Sequence, residues 1–247
     1  ATFDIEKRPL NISATRAYDA TTSISSSNVT FGNLVGSETI SKSGTLSTSS
    51  ANAGSYSTAN INTTSLSISD GTNGGLSNNY ILSGGTHSAI ITKKALGSTG
   101  TRVYDGTNTA SSSNLTLSGL IGSETLTLSG SGTVPNASVQ SGKSVSLGSI
   151  SISDSTGSAS NYSLTGSFIM DITARPVTAA GSRVYDGSTT VSGSDINAFT
   201  NLVGSETLAA SGSGSVSSAN VGSGKSVNLG SIALSNGTGS ASNYSLS

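Results

Sequence analysis

Cysteine is absent from the 247-residue chain, which removes disulfides, thiol catalysis and thiolate-bound metals without by itself fixing a compartment. Tryptophan is absent as well, so seven tyrosines and four phenylalanines carry all the aromatic surface. Charge is scarce: 11 Lys and Arg stand against 12 Asp and Glu, for a net charge of -1, with no cluster of either sign. That pattern excludes the basic footprint of a nucleic-acid or anionic-membrane binder. No apolar run approaches the ~20 residues of a membrane span. The residues from Ala1 onward do not read as a signal peptide. Few Lys and Arg also means few trypsin-type cleavage points, which suits exposure outside a cell.

What the chain does hold is serine, glycine, threonine and asparagine, a composition that on its own suggests a polar low-complexity tract. The apolar residues contradict that. In "SLSISD" from Ser65, "SVSLGSISIS" from Ser144 and "SVNLGSIAL" from Ser226, small polar residues alternate with Val, Leu and Ile. A period of two is the pattern of half-buried strands, and the chain reads as folded and all-β.

Internal repetition sets the organisation. Tyr18-Asp19, Tyr104-Asp105 and Tyr185-Asp186 recur, as do "GSET" at Gly36, Gly122 and Gly204 and Asn-Tyr at Tyr80, Tyr162 and Tyr244. "SGKSV" occurs from Ser141 and Ser223, where the first copy has "AGSYS". A spacing above 80 residues is too long for a solenoid coil and fits a small domain, so the expectation is a tandem array of three. "DIEKRPL", "IITKKAL" and "DITARPV" align without a gap, and Pro9 and Pro176 mark breaks between modules. The repeats are placed at 8–92, 93–173 and 174–247. Residues 1–7 then read as the closing strand of a preceding repeat, and the third repeat lacks its own. Links this short predict an elongated rod, on the order of 90 Å for three domains in line.

Tyr-Asp-Gly-Thr, Gly-x-Glu-Thr, Gly-x-Gly-Lys-x-Val, Asn-Tyr-x-Leu and "ITKKAL" together resemble the YDG-type repeats of large bacterial surface adhesins. These include filamentous-haemagglutinin-like proteins exported by two-partner secretion. The resemblance covers nearly the whole chain and implies a secreted, cell-surface, adhesion-related repetitive protein. The first copy departs from the pattern, with Ala20 where the others have Gly106 and Gly187, and Tyr56 where they have Lys143 and Lys225.

Read residue by residue, the columns suggest structural work. Asp19, Asp105 and Asp186 end a strand and suit an Asx-type turn, aided in two copies by glycine. Six of the seven tyrosines fall in two columns, as expected of packing anchors whose hydroxyls find partners. Tyr56 stands outside those columns and is the one candidate ligand contact. Arg16, Arg102 and Arg183, the three Asp residues, Glu38, Glu124 and Glu206, and Arg8, Lys94 and Arg175 hold about half of all charges. Fixed columns imply fixed partners, with Arg expected to pair with Asp or Glu of its own repeat, for instance Arg102 with Glu124.

No catalytic constellation emerges. A Ser-His-Asp relay needs a base, and the single histidine, His87, has no counterpart in the other copies and reads as an exposed loop or strand residue. Carboxylate pairs such as Asp105 and Glu124 could suit glycoside hydrolysis but recur in domains too small for an obvious cleft. Lysine cross-links fail on Tyr56. Calcium at the junctions is a weak possibility resting on Asp4, Asp171, Asp70 and Asp154, without a D-x-D-x-D loop. Asn28, Asn114 and Asn161 begin Asn-x-Ser/Thr triplets expected by chance in so much serine and threonine.

The expected fold is therefore all-β: three small antiparallel sandwich-like domains, or a β-grasp-like fold with one short helix near Asp195 to Gly204. The expected role is non-enzymatic, a stalk or spacer of a secreted adhesin supporting adhesion or biofilm formation. The alternatives are a glycan- or matrix-polysaccharide-binding module acting by avidity, and a head-to-tail fibre subunit formed by strand donation.

Overall fold

The computed structural model describes residues 1–247 and contains strands, turns and single 3-10 turns with no α-helix. In the first repeat the lead strand Asn11–Ala17 buries Ile12, Ala14 and Arg16 while its alternate residues face outward. It lies in a four-stranded sheet, in the order Val29–Gly32, Asn11–Ala17, His87–Thr92 and Gly54–Ser57. The last strand of the repeat, His87–Thr92, is thus a central one. It runs parallel to the lead strand, Ile12 opposite His87 and Ala17 opposite Thr92, and antiparallel to Gly54–Ser57.

A second sheet is built on the long strand Ile40–Thr48, with Ser23–Ser25 and Ile61–Asn62 paired near one end and Leu66–Asp70 along the other. Ile12, Ala14 and Ala89 from the first sheet meet Ile24, Leu46 and Leu66 from the second in one buried cluster. Each large apolar side chain so buried is worth about 1.5–3 kcal/mol. This is the expected sandwich. The chain can double back within Ile40–Thr48's neighbourhood because Gly44 adopts φ +83, and a β-carbon there would lie 2.1 Å from the Ser65 carbonyl oxygen. Gly130 and Gly212 repeat that arrangement against Ser149 and Ser231.

The second repeat has the same sheet: Leu115–Ser118, Gly97–Val103, Phe168–Thr173, Gln140–Ser144, with Phe168–Thr173 again central and parallel to the lead strand. Met170 and Ile172 are the deepest side chains of that closing strand, at 0% and 2% exposure. The third repeat pairs Ala179–Gly181 with Ile196–Phe199 and builds its core from Val191, Ile196 and Ile232.

Two expectations are amended. Pairing is mixed and not purely antiparallel, because the closing strand enters the middle of its sheet in the direction of the lead strand. The stretch from Asp195 forms no helix: a 3-10 turn at Gly193–Asp195, capped by Ser192, runs straight into the strand Ile196–Phe199. The same capped turn recurs at Ser26–Asn28 and Ser112–Asn114. By packing, the three repeats are distributed over two compact units. One comprises Ala1–Gly97, Ser118–Thr127 and Ile152–Gly166, the other Ser98–Leu117, Leu128–Ser151 and Ser167–Ser247, so the second repeat contributes to both.

Candidate functional site: a tyrosine–glutamate joint

"GSET" is a tight turn. Gly122 takes φ +54, a left-handed conformation that glycine adopts without cost, and the Glu124 amide donates to the Ile121 carbonyl at 3.0 Å. The turn lifts the Glu124 carboxylate under two tyrosines. Tyr162, from the same repeat, donates its hydroxyl to Oε2 at 2.6 Å, and Tyr18, from the first repeat, donates to Oε1 at 2.6 Å. The Tyr162 hydroxyl also accepts from the Ile121 amide. The two rings meet edge to face, with centroids 5.4 Å apart and planes at 76°, a favourable arrangement for aromatic quadrupoles. All of these residues lie within the first compact unit.

Asn161 completes the joint. It is buried, its Oδ1 accepts from the Ala53 amide at 2.8 Å, and its Nδ2 donates to Asn52 Oδ1. The side chain is a bridge between the first and second repeats.

The tyrosine–glutamate core and the Asn-to-amide bridge recur between the second and third repeats, inside the second unit. Tyr104 donates to Glu206 Oε1 at 2.7 Å, Tyr244 donates to Oε2, the rings lie 5.4 Å apart at 79°, and Asn243 accepts from the Val139 amide. Arg175 adds a bond from Nη1 to the Tyr104 carbonyl. It is held in place through Nε and Nη2 on Asn201, whose left-handed φ of +65 presents both acceptors. Arg8 and Asn33 form the same pair in the first repeat, whereas the second has Lys94 and Gly119 at those positions.

The joint shapes its own protonation. Burial first, and then the hydrogen bond to the anionic glutamate, push the Tyr18 and Tyr104 hydroxyls up to about 12. Tyr162 and Tyr244 are raised for the same two reasons. Tyr80 is raised by its 2.5 Å bond to Glu38 and by burial.

The Arg and Asp columns hold the strand end beside the joint. Arg16 and Arg102 are buried at the end of their lead strands, pairing with Asp19 and Asp105, while each second amino group donates to the carbonyl of Thr21 or Thr107. Asp19 and Asp105 also accept from the amide and hydroxyl of those threonines. Burial pushes both carboxyls up, but the threonine bonds and the guanidinium more than offset it, leaving them below the ordinary value. Arg183, Asp186 and Ser188 make the same set in the third repeat, more openly. Arg therefore pairs with Asp of its own repeat as expected, and the particular pairing of Arg102 with Glu124 is corrected, since tyrosines occupy that glutamate.

Other candidates fall elsewhere. Tyr56 is half-buried against the first core and donates to the Asn52 carbonyl at 2.6 Å, so its hydroxyl serves its own loop and is not held out to solvent. Lys143 does similar work in the second repeat, donating to the Asn136 carbonyl and side chain. His87 is buried in its strand, not exposed, at the place Phe168 takes in the second repeat. Asp70, Asp154 and Asp171 accept from the amides of Ser77, Ala159 and Gly142, and no group of three or more acidic or histidine side chains comes together.

Three interlocked copies of one small all-β module, joined through recurring side chains, define a tandem-repeat protein. Residues 6–89, 91–168 and 171–247 each match the YDG domain, and the chain belongs to that family. No curated protein and no solved structure is detectably similar to it.

Proposed function

We propose that this segment is a spacer in a secreted bacterial adhesin of the filamentous-haemagglutinin-like kind, holding a binding region away from the cell surface. The observation that carries this reading is the joint: Tyr, Glu, Tyr and Asn side chains that recur from repeat to repeat are spent on linking one repeat to the next. A chain whose recurring groups fix successive repeats to each other is suited to transmit position. The test is a deletion of these repeats from the whole surface protein, with adhesion measured on intact cells. Lost adhesion that an unrelated spacer of equal length restores supports the reading; failure of every such spacer overturns it.

A second reading, a glycan- or matrix-binding module, has one observation in its favour. A cleft of about 380 Å³ on the second repeat is lined by Thr99, Gly100, Thr101, Asn114, Thr116, Ile169 and Asp171. Hydroxyls, an amide and a carboxylate in one recess are the groups that bind sugar hydroxyls. Saturable binding of the purified segment to a glycan panel, lost in Asp171→Ala, would favour it over the spacer.

A further inference from the structure

Asparagine is followed by glycine twice in the chain, at Asn73-Gly74 and at Asn236-Gly237. The pair carries chemistry of its own. A glycine amide nitrogen can attack the side-chain carbon of the asparagine before it, because glycine has no β-carbon to stand in the way. Whether a given pair reacts is decided by the freedom of that nitrogen and of that side chain.

Asn73-Gly74 lies where the first repeat is two residues longer than the others. It reads "DGTNGGLSNNY" from Asp70, against "DSTGSASNY" from Asp154 and "NGTGSASNY" from Asn236. Thr72 to Gly75 form a four-residue turn: the Gly75 amide donates to the Thr72 carbonyl at 3.1 Å, and Asn73 and Gly74 between them take φ +56 and φ +86. Two successive left-handed residues closed by that bond form the kind of turn that Asn-Gly favours. The turn uses the amide of its last residue and leaves the Gly74 amide without an acceptor. Both residues are exposed, and the Asn73 side chain is tied at one point, from Nδ2 to the Ser37 carbonyl at 3.0 Å.

Asn236-Gly237 is equally exposed and differently bound. Asn236 ends the strand Ala233–Asn236, in register with Leu208. Its Oδ1 accepts from the Ala241 amide at 2.8 Å, as Asp154 accepts from Ala159. The Gly237 amide donates to the Gly239 carbonyl at 3.2 Å. Here the strand holds the backbone, a hydrogen bond fixes the side chain, and the attacking nitrogen is occupied.

We propose that Asn73 is a site of spontaneous deamidation and that the fold protects Asn236 from the same reaction. The Gly74 nitrogen gives up its proton and bonds to Asn73 Cγ. The side-chain nitrogen takes that proton and leaves as ammonia, closing a cyclic imide. Water then adds to one of the two imide carbonyls and opens the ring. The new carboxylate stands either on the side chain, with the backbone intact, or on the α-carbon, with the backbone rerouted through the β-carbon. Nothing is oxidised or reduced, and water is the sole co-reactant.

The product loses what Asn73 holds. A carboxylate has no hydrogen to give the Ser37 carbonyl, so the bond between this turn and the turn at Gly36 to Thr39 becomes a contact of two acceptors. Glu38 in that turn holds the Tyr80 hydroxyl, so the change reaches the packing of the first repeat. Deamidation at this turn is independent of whether the segment serves as a spacer.

Incubation of the folded chain in mildly alkaline buffer tests it, with peptide mapping by mass spectrometry and labelling by an isoaspartate-specific methyltransferase. Asn73 should convert to a mixture of aspartate and isoaspartate severalfold faster than Asn236. In urea the rate at Asn236 should rise to that at Asn73, since both are then Asn-Gly pairs in an unfolded chain. Asn73→Gln, checked for folding by circular dichroism, should abolish most of the methyltransferase signal of the folded chain. An Asn73 that survives in the fold as long as Asn236 overturns the proposal. So does an Asn236 that converts as fast in the fold as in urea, or a methyltransferase signal indifferent to Asn73→Gln.

Discussion

Tyr18→Phe is the sharpest perturbation, because the chain contains its own control. The substitution keeps the ring, its edge-to-face contact with Tyr162 and its burial, and removes one hydroxyl that donates to a carboxylate at 2.6 Å. A hydrogen bond to a charged group contributes about 1.5–3 kcal/mol. Tyr185→Phe removes the corresponding hydroxyl where the side chain is 62% exposed and makes no such bond, so its cost should stay within about 0.5 kcal/mol. Urea unfolding at low protein concentration, followed by circular dichroism and tyrosine fluorescence, reads both. At a slope of about 2 kcal/mol per molar, Tyr18→Phe should lower the midpoint of the transition that includes the first repeat on the order of 1 M, with the slope unchanged. Tyr104→Phe should do the same for the second joint. A cycle with Glu124→Gln should then show coupling above about 0.5 kcal/mol. Equal shifts for Tyr18→Phe and Tyr185→Phe, or none for either, would refute the joint as a source of stability.

Alkaline pH should open the joints. The Tyr18 and Tyr104 hydroxyls are raised to about 12 in the fold, so their contribution is complete below the unfolded value of about 10 and is lost as pH climbs through 12. Tyrosinate absorbance should lag behind that of the urea-unfolded chain, and superimposed curves would refute this. Acid acts on the other column: Asp19 and Asp105 are lowered in the fold, so their contribution is present above about 3.9 and lost as pH falls through the folded value. Asp105→Asn should therefore destabilise at pH 7 and flatten the acid limb of the stability curve. Ala20 sits at φ +64 where the other repeats have Gly106 and Gly187, so Ala20→Gly should stabilise by up to about 1 kcal/mol. Gly106→Ala should cost more than Ala20→Gly gains, because a β-carbon there would lie 2.7 Å from Val203 Cγ1. Thermal denaturation of both variants checks the signs.

Period-two alternation and the Asp turn made the strands and their ends legible from the sequence, and tyrosine scarcity pointed to Tyr18, Tyr80, Tyr104, Tyr162 and Tyr244 as anchors. The partner of each glutamate was not legible, for a reason inherent to repeats. When Tyr, Arg and Glu columns recur with one period, a contact between copies and a contact within a copy leave the same trace. Asn161 was hidden differently: its Asn-Tyr-Ser string satisfies a common triplet, and only burial distinguishes the bridging amide. The central place of His87–Thr92 was illegible because alternation tells which face a strand buries and not which neighbours it pairs with. Tyr56 and Lys143 share no chemistry beyond a donor at the end of a side chain, so their common use on a loop carbonyl required coordinates.

The parallel pairing of lead and closing strands has a mechanical consequence. Chain enters the second repeat at the start of Gly97–Val103 and leaves it at the end of Phe168–Thr173, and these strands are hydrogen-bonded side by side in the same direction from Ser98 and Phe168 to Val103 and Thr173. A pull on the two ends of such a repeat drags the strands past each other in shear. The ladder bonds lie across the force and share it, so several must break at once, whereas an antiparallel hairpin pulled at its open end unzips one bond at a time. Asn11–Ala17 and His87–Thr92 have the same geometry. The first two repeats are thereby built to resist tension along the chain more strongly than their modest cores would suggest.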